Sequence, residues 1–356
     1  MDSKNVPSLW IGNLEINPPI IQGGMGVRVS GSGLAAAVAN EGCAGVIATV
    51  GLGAYENLPA SKFVEVNNDA LRSEIRKARA NSKGVIGVNV MVVLSNYEEL
   101  VKVSVEENVD MIICGSGLPL DLPSFLNGKD IKLIPIVSSA RALNIICKKW
   151  KQNYNKMPDA VIVEGYKAGG HLGFAHKDIY NNTAPELEDI IKDLVEFVKT
   201  LETPIPIIAA GGVFDGADIA KFLRLGASGV QMATRFVCTD ECDADIRFKQ
   251  AYINAKEGDI TIVSSPVGLP GRVIRNEFVD RVNSGAAVPF RCMHRCLRSC
   301  DPKVVPFCIA KVLGDASKGE LDNAFVFAGS NAYRCTEIIP VKTLVNQLKT
   351  ELIENL

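Results

Sequence analysis

The stretch that decides the fold is PIPIIAAGGVFDGADIAKFLRLGASGVQMATRF, residues 204–236, where one helical pattern lies between two short apolar runs. The runs 204–212 and 228–234 are apolar without alternation, as expected of parallel strands that are buried on both faces. Between them, 215–226 begins at an Asp that can cap a helix and ends at a Gly. The stretch is therefore predicted to form two parallel strands joined by a helix.

The same unit recurs along most of the chain. Eight such alternations predict an α/β fold, the (β/α)₈ TIM barrel. An open sheet that binds a dinucleotide is less favoured, because QGGMGVRVSGSG at 22–33 has no G-x-G-x-x-G spacing that opens a helix. The other predicted strands are 18–24, 44–50, 84–91, 110–115, 132–137 and 160–165, and the other predicted helices include 70–80, 139–150 and 186–201.

The alternation stops after residue 258. Residues 264–276 are rich in turn formers, a Cys-rich segment follows at 292–308, and KTLVNQLKTELIENL at 342–356 has a helical pattern. We therefore predict a barrel at 1–258 and, at 259–356, a Cys-rich C-terminal appendage that packs on the barrel.

Composition restricts the classes of partner. The 356 residues are 47% hydrophobic and 22% charged, which is enough to bury a large core, and the net charge of −2 comes without a basic stripe that would follow a phosphate backbone. The N-terminus lacks a signal-peptide pattern, and no segment reaches the length of a membrane span. We expect a cytoplasmic protein that acts on a small-molecule substrate, without nucleic acid or membrane partners, and take a homodimer as the hypothesis for its oligomeric state.

Glycines gather where the predicted strands end, which in a TIM barrel is the face that carries the active site. The seventh and eighth loops of such barrels commonly bind phosphate through backbone N–H groups. Gly211 and Gly212 allow close approach of an anion, since no Cβ intervenes. After the eighth strand, backbone N–H groups and one hydroxyl come from Gln231, Met232, Ala233 and Thr234. A phosphorylated cofactor is predicted here.

Five motifs together resemble the FMN-dependent nitronate monooxygenases, also called 2-nitropropane dioxygenases, and the related flavin-dependent enoyl-acyl-carrier-protein reductases. The resemblance covers about residues 15–280, and it implies FMN as the cofactor. It also implies that Gln22, Gly23, Gly24 and Met25 pack against the flavin ring, that Asn89 bonds the flavin, that Glu164, Gly169 and Gly170 line the sixth loop, and that Gly212 and 231–234 hold the phosphate. The motifs are PPIIQGGMG, GVNVM, EGYKAGGHLG, PIPIIAAGGVFDG and GASGVQMATRF.

His171, in EGYKAGGHLG, matches the active-site histidine of this family. Its imidazole titrates near neutrality, so it can move a proton or steady an anion beside a flavin that carries the electrons. The alternative is an imidazole that merely bonds the turn. His176 is expected to be a solvated loop residue, and His294 belongs to the Cys-rich segment.

Three activities stay open at this point. The first is a monooxygenase that oxidises alkyl nitronates with O₂, and the second is a reductase that takes hydride from NAD(P)H for enoyl thioesters or quinones. Glu164 resembles the reductase branch, whereas Lys167 departs from both branches. The third is a redox or metal-sensing role for the Cys-rich segment.

The cysteines of RCMHRCLRSCDPKVVPFC, at 291–308, are spaced C-x3-C-x3-C-x7-C. If the segment is helical, a spacing of four places Cys292, Cys296 and Cys300 on one face, where with Cys308 they are candidate ligands of a metal or an iron–sulfur cluster. The competing interpretation is a short helix with core-facing thiols that Asp301-Pro302 ends.

Overall fold

The computed structural model describes residues 6–53, 59–292 and 294–356. Eight of its strands form one parallel sheet, and each of the eight strands predicted from the sequence is among them. The described strands are β1 (Leu9–Ile11), β2 (Leu14–Ile16), β3 (Ile20–Gln22), β4 (Gly45–Ala48), β5 (Ile86–Met91), β6 (Met111–Gly115), β7 (Lys132–Val137), β8 (Val161–Glu164), β9 (Gly170–His171), β10 (Ile207–Ala210), β11 (Gly229–Met232), β12 (Ile260–Ser264) and β13 (Pro270–Ile274).

The eight-stranded sheet closes on itself and confirms the (β/α)₈ barrel. Its order is β3, β11, β10, β8, β7, β6, β5 and β4. The two end strands then meet, because the Gln22 N–H donates to the Ala44 carbonyl at 2.9 Å and the Ala44 N–H donates to the Ile20 carbonyl at 3.0 Å. A closed sheet leaves no unpaired edge.

The inside of the barrel is packed with branched side chains. Ile21, Val46, Ile113 and Ile162 are fully buried in one interior cluster, as expected of strands with apolar residues on both faces. The antiparallel pair of β1 and β2, which directly precedes β3, adds Leu9, Ile11 and Ile16 to this cluster. The pair therefore plugs the amino-terminal end of the barrel and leaves the opposite end for a site.

Helices surround the sheet and bury the outer faces of the strands. The Asp expected to cap the helix after β10 does so, since the Asp215 carboxylate accepts from the Asp218 N–H at 3.0 Å. The described α-helices are α1 (Ser32–Asn40), α2 (Phe63–Asn81), α3 (Tyr97–Glu106), α4 (Ala140–Tyr154), α5 (His176–Tyr180), α6 (Leu187–Lys199), α7 (Gly216–Arg224), α8 (Thr234–Val237), α9 (Ile246–Asn254), α10 (Glu277–Asn283), α11 (Ile309–Ser317) and α12 (Val341–Asn355).

Residues 259–356 pack on the barrel and share its outer core. The hairpin of β12 and β13 adds β9 as a third strand, with Gly271 opposite His171. The final helix, α12, lies against α7 and α1, and its Leu344 and Leu348 are fully buried. The C-terminal part thus holds the loop after β8 in place.

The expectation of a helix through Cys292, Cys296 and Cys300 is wrong. The described residues of 292–300 form no helical turn, and Arg295 has a φ of 44°, which helices do not accommodate. Its backbone bonds go to the barrel instead: the Ser95 N–H donates to the Cys296 carbonyl at 3.0 Å, and the Arg298 N–H donates to the Val93 carbonyl at 2.9 Å. The segment is irregular because these bonds replace those of a helix.

Candidate active site

A cavity of about 680 Å³ lies at the carboxyl ends of the barrel strands. This volume is in the range of pockets for small molecules and cofactors. Most positions predicted for cofactor and catalysis line this cavity together: Gly23, Gly24, Met25, Asn89, Glu164, Gly169, Gly170, His171, Gly211, Gly212, Gln231, Met232, Ala233 and Thr234.

Gln22 does not line the cavity, although its neighbours do. Its side chain is fully buried inside the barrel wall, where Oε1 accepts from the Val46 N–H at 2.9 Å and Nε2 donates to the Gly23 carbonyl. With its amide used in this way, Gln22 links β3 to β4 and supports the loop that carries Gly23 and Gly24.

His171 is fixed from two sides of the cavity. Its Nε2 lies 2.7 Å from the Oγ of Ser265, the residue directly after β12, and the Phe327 ring meets the imidazole edge-on at 4.9 Å between centroids. Burial lowers the pKa of His171 from 6.5 to about 4, because the charged form loses its hydration. The imidazole is therefore neutral at pH 7 and can both donate and accept a hydrogen bond.

This lowered pKa has a measurable consequence for stability. The unfolded chain takes up the proton near pH 6.5 and the folded chain only near pH 4, so the free energy of unfolding should fall as the pH drops through this window. We expect His171→Gln to lose less stability than the unsubstituted protein between about pH 6.5 and about pH 4. Urea unfolding at several pH values measures this; parallel pH profiles of the two proteins would contradict it.

Glu164 ends β8 at the floor of the cavity. Burial raises its pKa from 4.5 to about 7, so at neutral pH the carboxyl is protonated in a large fraction of molecules. Since a protonated carboxyl is both a donor and an acceptor, Glu164 can bond either kind of group on a ligand. A ligand that fills the cavity would bury the part of Glu164 that is still accessible to solvent.

Gln231, which lines the cavity, carries a polar atom without a partner. Its Oε1 is buried and has no hydrogen-bond partner among the described residues. A buried amide oxygen without a partner costs about 1–3 kcal/mol, so native proteins rarely keep one without a reason. A ligand with an N–H or O–H group in the cavity would satisfy this oxygen.

The glycines of the cavity wall fit a ligand that lies against backbone. Gly211 and Gly212 have φ values of 93° and 90°, in the left-handed region that other residues rarely adopt. A Cβ on Gly24 would stand 2.4 Å from the Asn89 Cβ, and one on Gly169 would stand 2.6 Å from the Ala328 carbonyl carbon. The four chain segments that carry these residues are therefore tightly packed where they line the cavity.

Replacement of Gln231 separates a ligand-binding role from a structural one. We expect Gln231→Met to leave the stability of the ligand-free protein unchanged or raised by about 1 kcal/mol, because an unpaired amide oxygen is removed. FMN affinity should fall about fivefold to tenfold through one lost hydrogen bond. Thermal unfolding without FMN and fluorescence titration with FMN measure the two effects. Unchanged FMN affinity would exclude a hydrogen bond between Gln231 and FMN.

Several residues of the site carry no signal in the sequence. Ser265, Phe327 and the stretch 267–270 line the cavity or bond His171, yet they come from turns after the last barrel strand. His176 lines the cavity as well, at the start of α5, with its ring stacked on Tyr180. Turn-rich segments have no hydrophobic period from which their position in the fold can be predicted. The pairing of β13 with β9 is therefore visible only in the structure.

Lys167, the departure noted in the loop after β8, does not line the cavity. Its Nζ lies 2.8 Å from the Glu186 Oε2, and the Tyr166 hydroxyl donates to the same carboxylate at 2.7 Å. Among the described residues, no Lys or Arg side chain lines the cavity. The site is therefore apolar with a few neutral polar groups.

No three His, Cys, Asp or Glu side chains are grouped to hold a metal ion in the described ranges. Of the candidate thiols, Cys296 lines the cavity, whereas Cys292, Cys300 and Cys308 do not. In the same ranges, none of the helices combines the length and the apolar composition that crossing a membrane requires.

The fold and the place of the cavity are those of TIM-barrel enzymes, and comparison with known proteins gives the family. The nitronate monooxygenase family model matches residues 8–100 and 92–351. The chain belongs to the nitronate monooxygenase family.

Curated relatives and solved structures agree with this assignment. A probable nitronate monooxygenase of Staphylococcus saprophyticus is 27% identical over 76% of this chain and 79% of its own. A 5-hydroxy-7a-methyl-1-oxo-octahydro-1H-indene-4-carboxyl-CoA dehydrogenase of Mycobacterium tuberculosis is 28% identical over 76% and 67%. FabK of Thermotoga maritima superposes with a TM-score of 0.73 at 28% identity, covering 94% of this chain and 93% of that chain. A nitroalkane oxidase of Streptomyces ansochromogenes, at 22% identity and a TM-score of 0.73 over 95% and 96%, shares the fold.

Proposed function

We propose that this protein is an FMN-dependent nitronate monooxygenase, which oxidises alkyl nitronates with O₂ to carbonyl compounds and nitrite. The observation that carries the proposal is His171, a neutral imidazole held in the wall of an apolar cavity by Ser265. The family match over most of the chain supports the same reaction.

The cavity residues fit FMN. The buried amide oxygen of Gln231 has no hydrogen-bond partner among the described residues. Asn89 packs so closely against Gly24 that a side chain on residue 24 would not fit between them. Gly212 and Thr234 lie where the seventh and eighth loops of TIM barrels commonly bind phosphate. Bound FMN would supply the electron transfer, which side chains of this site cannot perform.

His171 would bind the nitronate substrate. A nitronate is an anion whose charge lies on two oxygens, and a neutral imidazole N–H can hydrogen-bond one of them without a fixed cation. The Val267 N–H donates to the Ser265 Oγ at 3.4 Å, and the same hydroxyl lies against Nε2. When the Ser265 hydroxyl donates to Nε2, the His171 proton is on Nδ1 and Nδ1 is the donor.

The apolar lining has a second effect. Phe327, Leu297 and Leu313 border the same cavity as His171 and make this part of its wall apolar. Hydrogen bonds to an anion are stronger in such a site than in water. A nitronate with an alkyl chain would also gain by burying that chain.

The experiment is nitrite release from propyl-2-nitronate, an alkyl nitronate without a second charged group, under air by FMN-loaded protein. The proposal expects nitrite in amounts that depend on enzyme and on O₂, and loss of flavin absorbance when the nitronate is added without O₂. No nitrite, with FMN shown to be bound, would overturn the proposal.

A second candidate is favoured by Glu164. Its partly protonated carboxyl, and the 28% identity to FabK over nearly the whole chain, support a reductase that uses NAD(P)H to reduce enoyl thioesters or quinones. Under this alternative, NADH or NADPH bleaches the flavin without O₂ and nitronate does not. If neither nicotinamide bleaches the flavin, this candidate is excluded.

A further inference from the structure

The loop between β8 and β9 joins two titratable groups of the cavity. Glu164 ends β8 and His171 ends β9, so the course of residues 165–170 determines where both side chains lie. The carbonyls of this loop lie outside any helix and need donors from elsewhere. One donor is the Ser330 N–H, which bonds the Lys167 carbonyl at 3.0 Å. Two further carbonyls accept from a single side chain.

Arg272, on β13, is the residue that supplies these donors. Its Nε donates to the Ala168 carbonyl at 3.1 Å, and its Nη2 donates to the Tyr166 carbonyl at 2.8 Å. The backbone of Arg272 lies opposite Gly170 in the pairing of β13 with β9. Because the planar guanidinium has its donors in a fixed arrangement, it sets the spacing of the two carbonyls as well as bonding them. One residue therefore holds the loop directly before His171.

The same residue is connected to the segment on the other side of the imidazole. The Ala328 N–H donates to the Arg272 carbonyl at 3.1 Å. The next residue of the strand, Val273, forms an antiparallel bridge with Phe327. The Phe327 ring contacts the His171 imidazole edge-on. Arg272 thus joins the loop that carries His171 to the segment that packs on its ring.

Arg272 carries a charge that stability does not explain. Its guanidinium is half-buried and bonds neutral carbonyls, and no carboxylate in the described part of the chain forms an ion pair with it. Burial lowers the pKa of Arg272, because the charged form loses hydration. Since a buried charge is a weak source of stability, an apolar residue could pack here at a similar cost. The effect of the guanidinium is therefore sought in the position of the loop.

We propose that Arg272 is a positioning residue, which holds the loop 165–170 so that His171 faces the cavity with its Nε2 on Ser265. Without the guanidinium, the carbonyls of Tyr166 and Ala168 lose their donors and turn towards water, and the loop moves with them. A displacement of about 1 Å at a positioned group can cost about 10²-fold in rate. The expected effect on nitronate oxidation rests on the proposed function, whereas the effect on the imidazole does not.

The kinetic test compares Arg272→Met with Arg275→Met in the FMN-loaded full chain. Arg275 follows β13, is exposed and pairs with Asp280 at 2.7 Å, so its loss changes the net charge equally without touching the loop. We expect kcat/KM for propyl-2-nitronate to fall about tenfold to 100-fold in Arg272→Met and less than about twofold in Arg275→Met. Arg272→Lys, which keeps the charge but loses the planar fork, should fall between them. In a His171→Ala background, Arg272→Met should have no further effect, because it acts through His171.

A second measurement needs no substrate. The chain has three histidines, so nitrogen-15 NMR of histidine-labelled protein at pH 7 gives few signals, and His171→Ala identifies those of His171. The unsubstituted protein and Arg275→Met should show one protonated and one unprotonated imidazole nitrogen, whereas Arg272→Met should show signals averaged between the two tautomers.

Each outcome decides one question. An unsubstituted protein that releases no nitrite contradicts the proposed function alone, since the imidazole signals still test Arg272. Unchanged signals in Arg272→Met, or a loss of kcat/KM that adds to that of His171→Ala, would overturn the positioning role. Thermal unfolding shows whether each variant folds, and Arg272→Lys takes the place of Arg272→Met in both measurements if the latter does not.

Discussion

His171→Ala is expected to lower kcat/KM for an alkyl nitronate by about 10²-fold to 10³-fold, the range for loss of one positioned hydrogen-bond donor to an anionic oxygen. The imidazole is the ionisable group that β9 and Ser265 present to the cavity, and alanine leaves the nitronate oxygens without that donor. FMN should stay bound, since the predicted phosphate positions lie on other loops. Initial rates of nitrite release, with the flavin content of each preparation, measure the effect.

His176→Ala is the matched control for this substitution. It removes an imidazole from the same cavity, but the His176 ring stacks on Tyr180, an exposed residue. We expect kcat/KM to change by less than about threefold, because the proposed contact with the nitronate is made by His171. Equal losses in the two variants, or full activity of His171→Ala, would refute the role of His171.

Gly24→Ala is expected to weaken FMN binding by at least about tenfold. The new Cβ would stand 2.4 Å from the Asn89 Cβ and 3.3 Å from the Val46 Cγ1, so Asn89 has to leave its position. Overpacking of this kind costs about 1–3 kcal/mol, and 1.4 kcal/mol corresponds to a tenfold change in affinity. Quenching of FMN fluorescence during titration with the protein gives the dissociation constant.

Gly23→Ala is the matched control for Gly24→Ala. Its Cβ would meet the Ala233 Cβ at 3.3 Å and the Gln231 Cγ at 3.4 Å, so small shifts accommodate it. We expect an FMN dissociation constant closer to that of the unsubstituted protein than to that of Gly24→Ala. Equal weakening of FMN binding by both substitutions would mean that the position of Asn89 does not determine FMN affinity.

The barrel could be predicted because its evidence is local. Runs such as 132–137 and 204–212 are apolar on both faces, and the helical patterns between them have their own start and stop signals. The glycine-rich loops of the cavity followed from the same reasoning, since parallel strands end at one face, whereas Asn89 and Glu164 were implied by the resemblance to the family. Gln22 escaped this reasoning because a residue at a strand end can point into the barrel wall, which sequence order does not reveal.

The Cys-rich segment shows the opposite case. A spacing of four suggested a helical face, but backbone bonds to Val93 and Ser95, about 200 residues away, decided the conformation. Such bonds depend on a surface that exists after the barrel has formed. No local pattern in 292–300 could therefore predict them.

The sequence by itself determined the barrel and the face on which its cavity lies, and it predicted the glycine-rich loops there, because these depend on period and on order along the chain. His171 was implied by the resemblance to the family. The tertiary structure decided how His171 is held and why its pKa is low. It joined Ser265 and Phe327 to His171 through the pairing of β9 with β13 and the packing of the C-terminal part. These contacts span about 100 residues or more, and burial, which sets the pKa, exists only when all of them have formed.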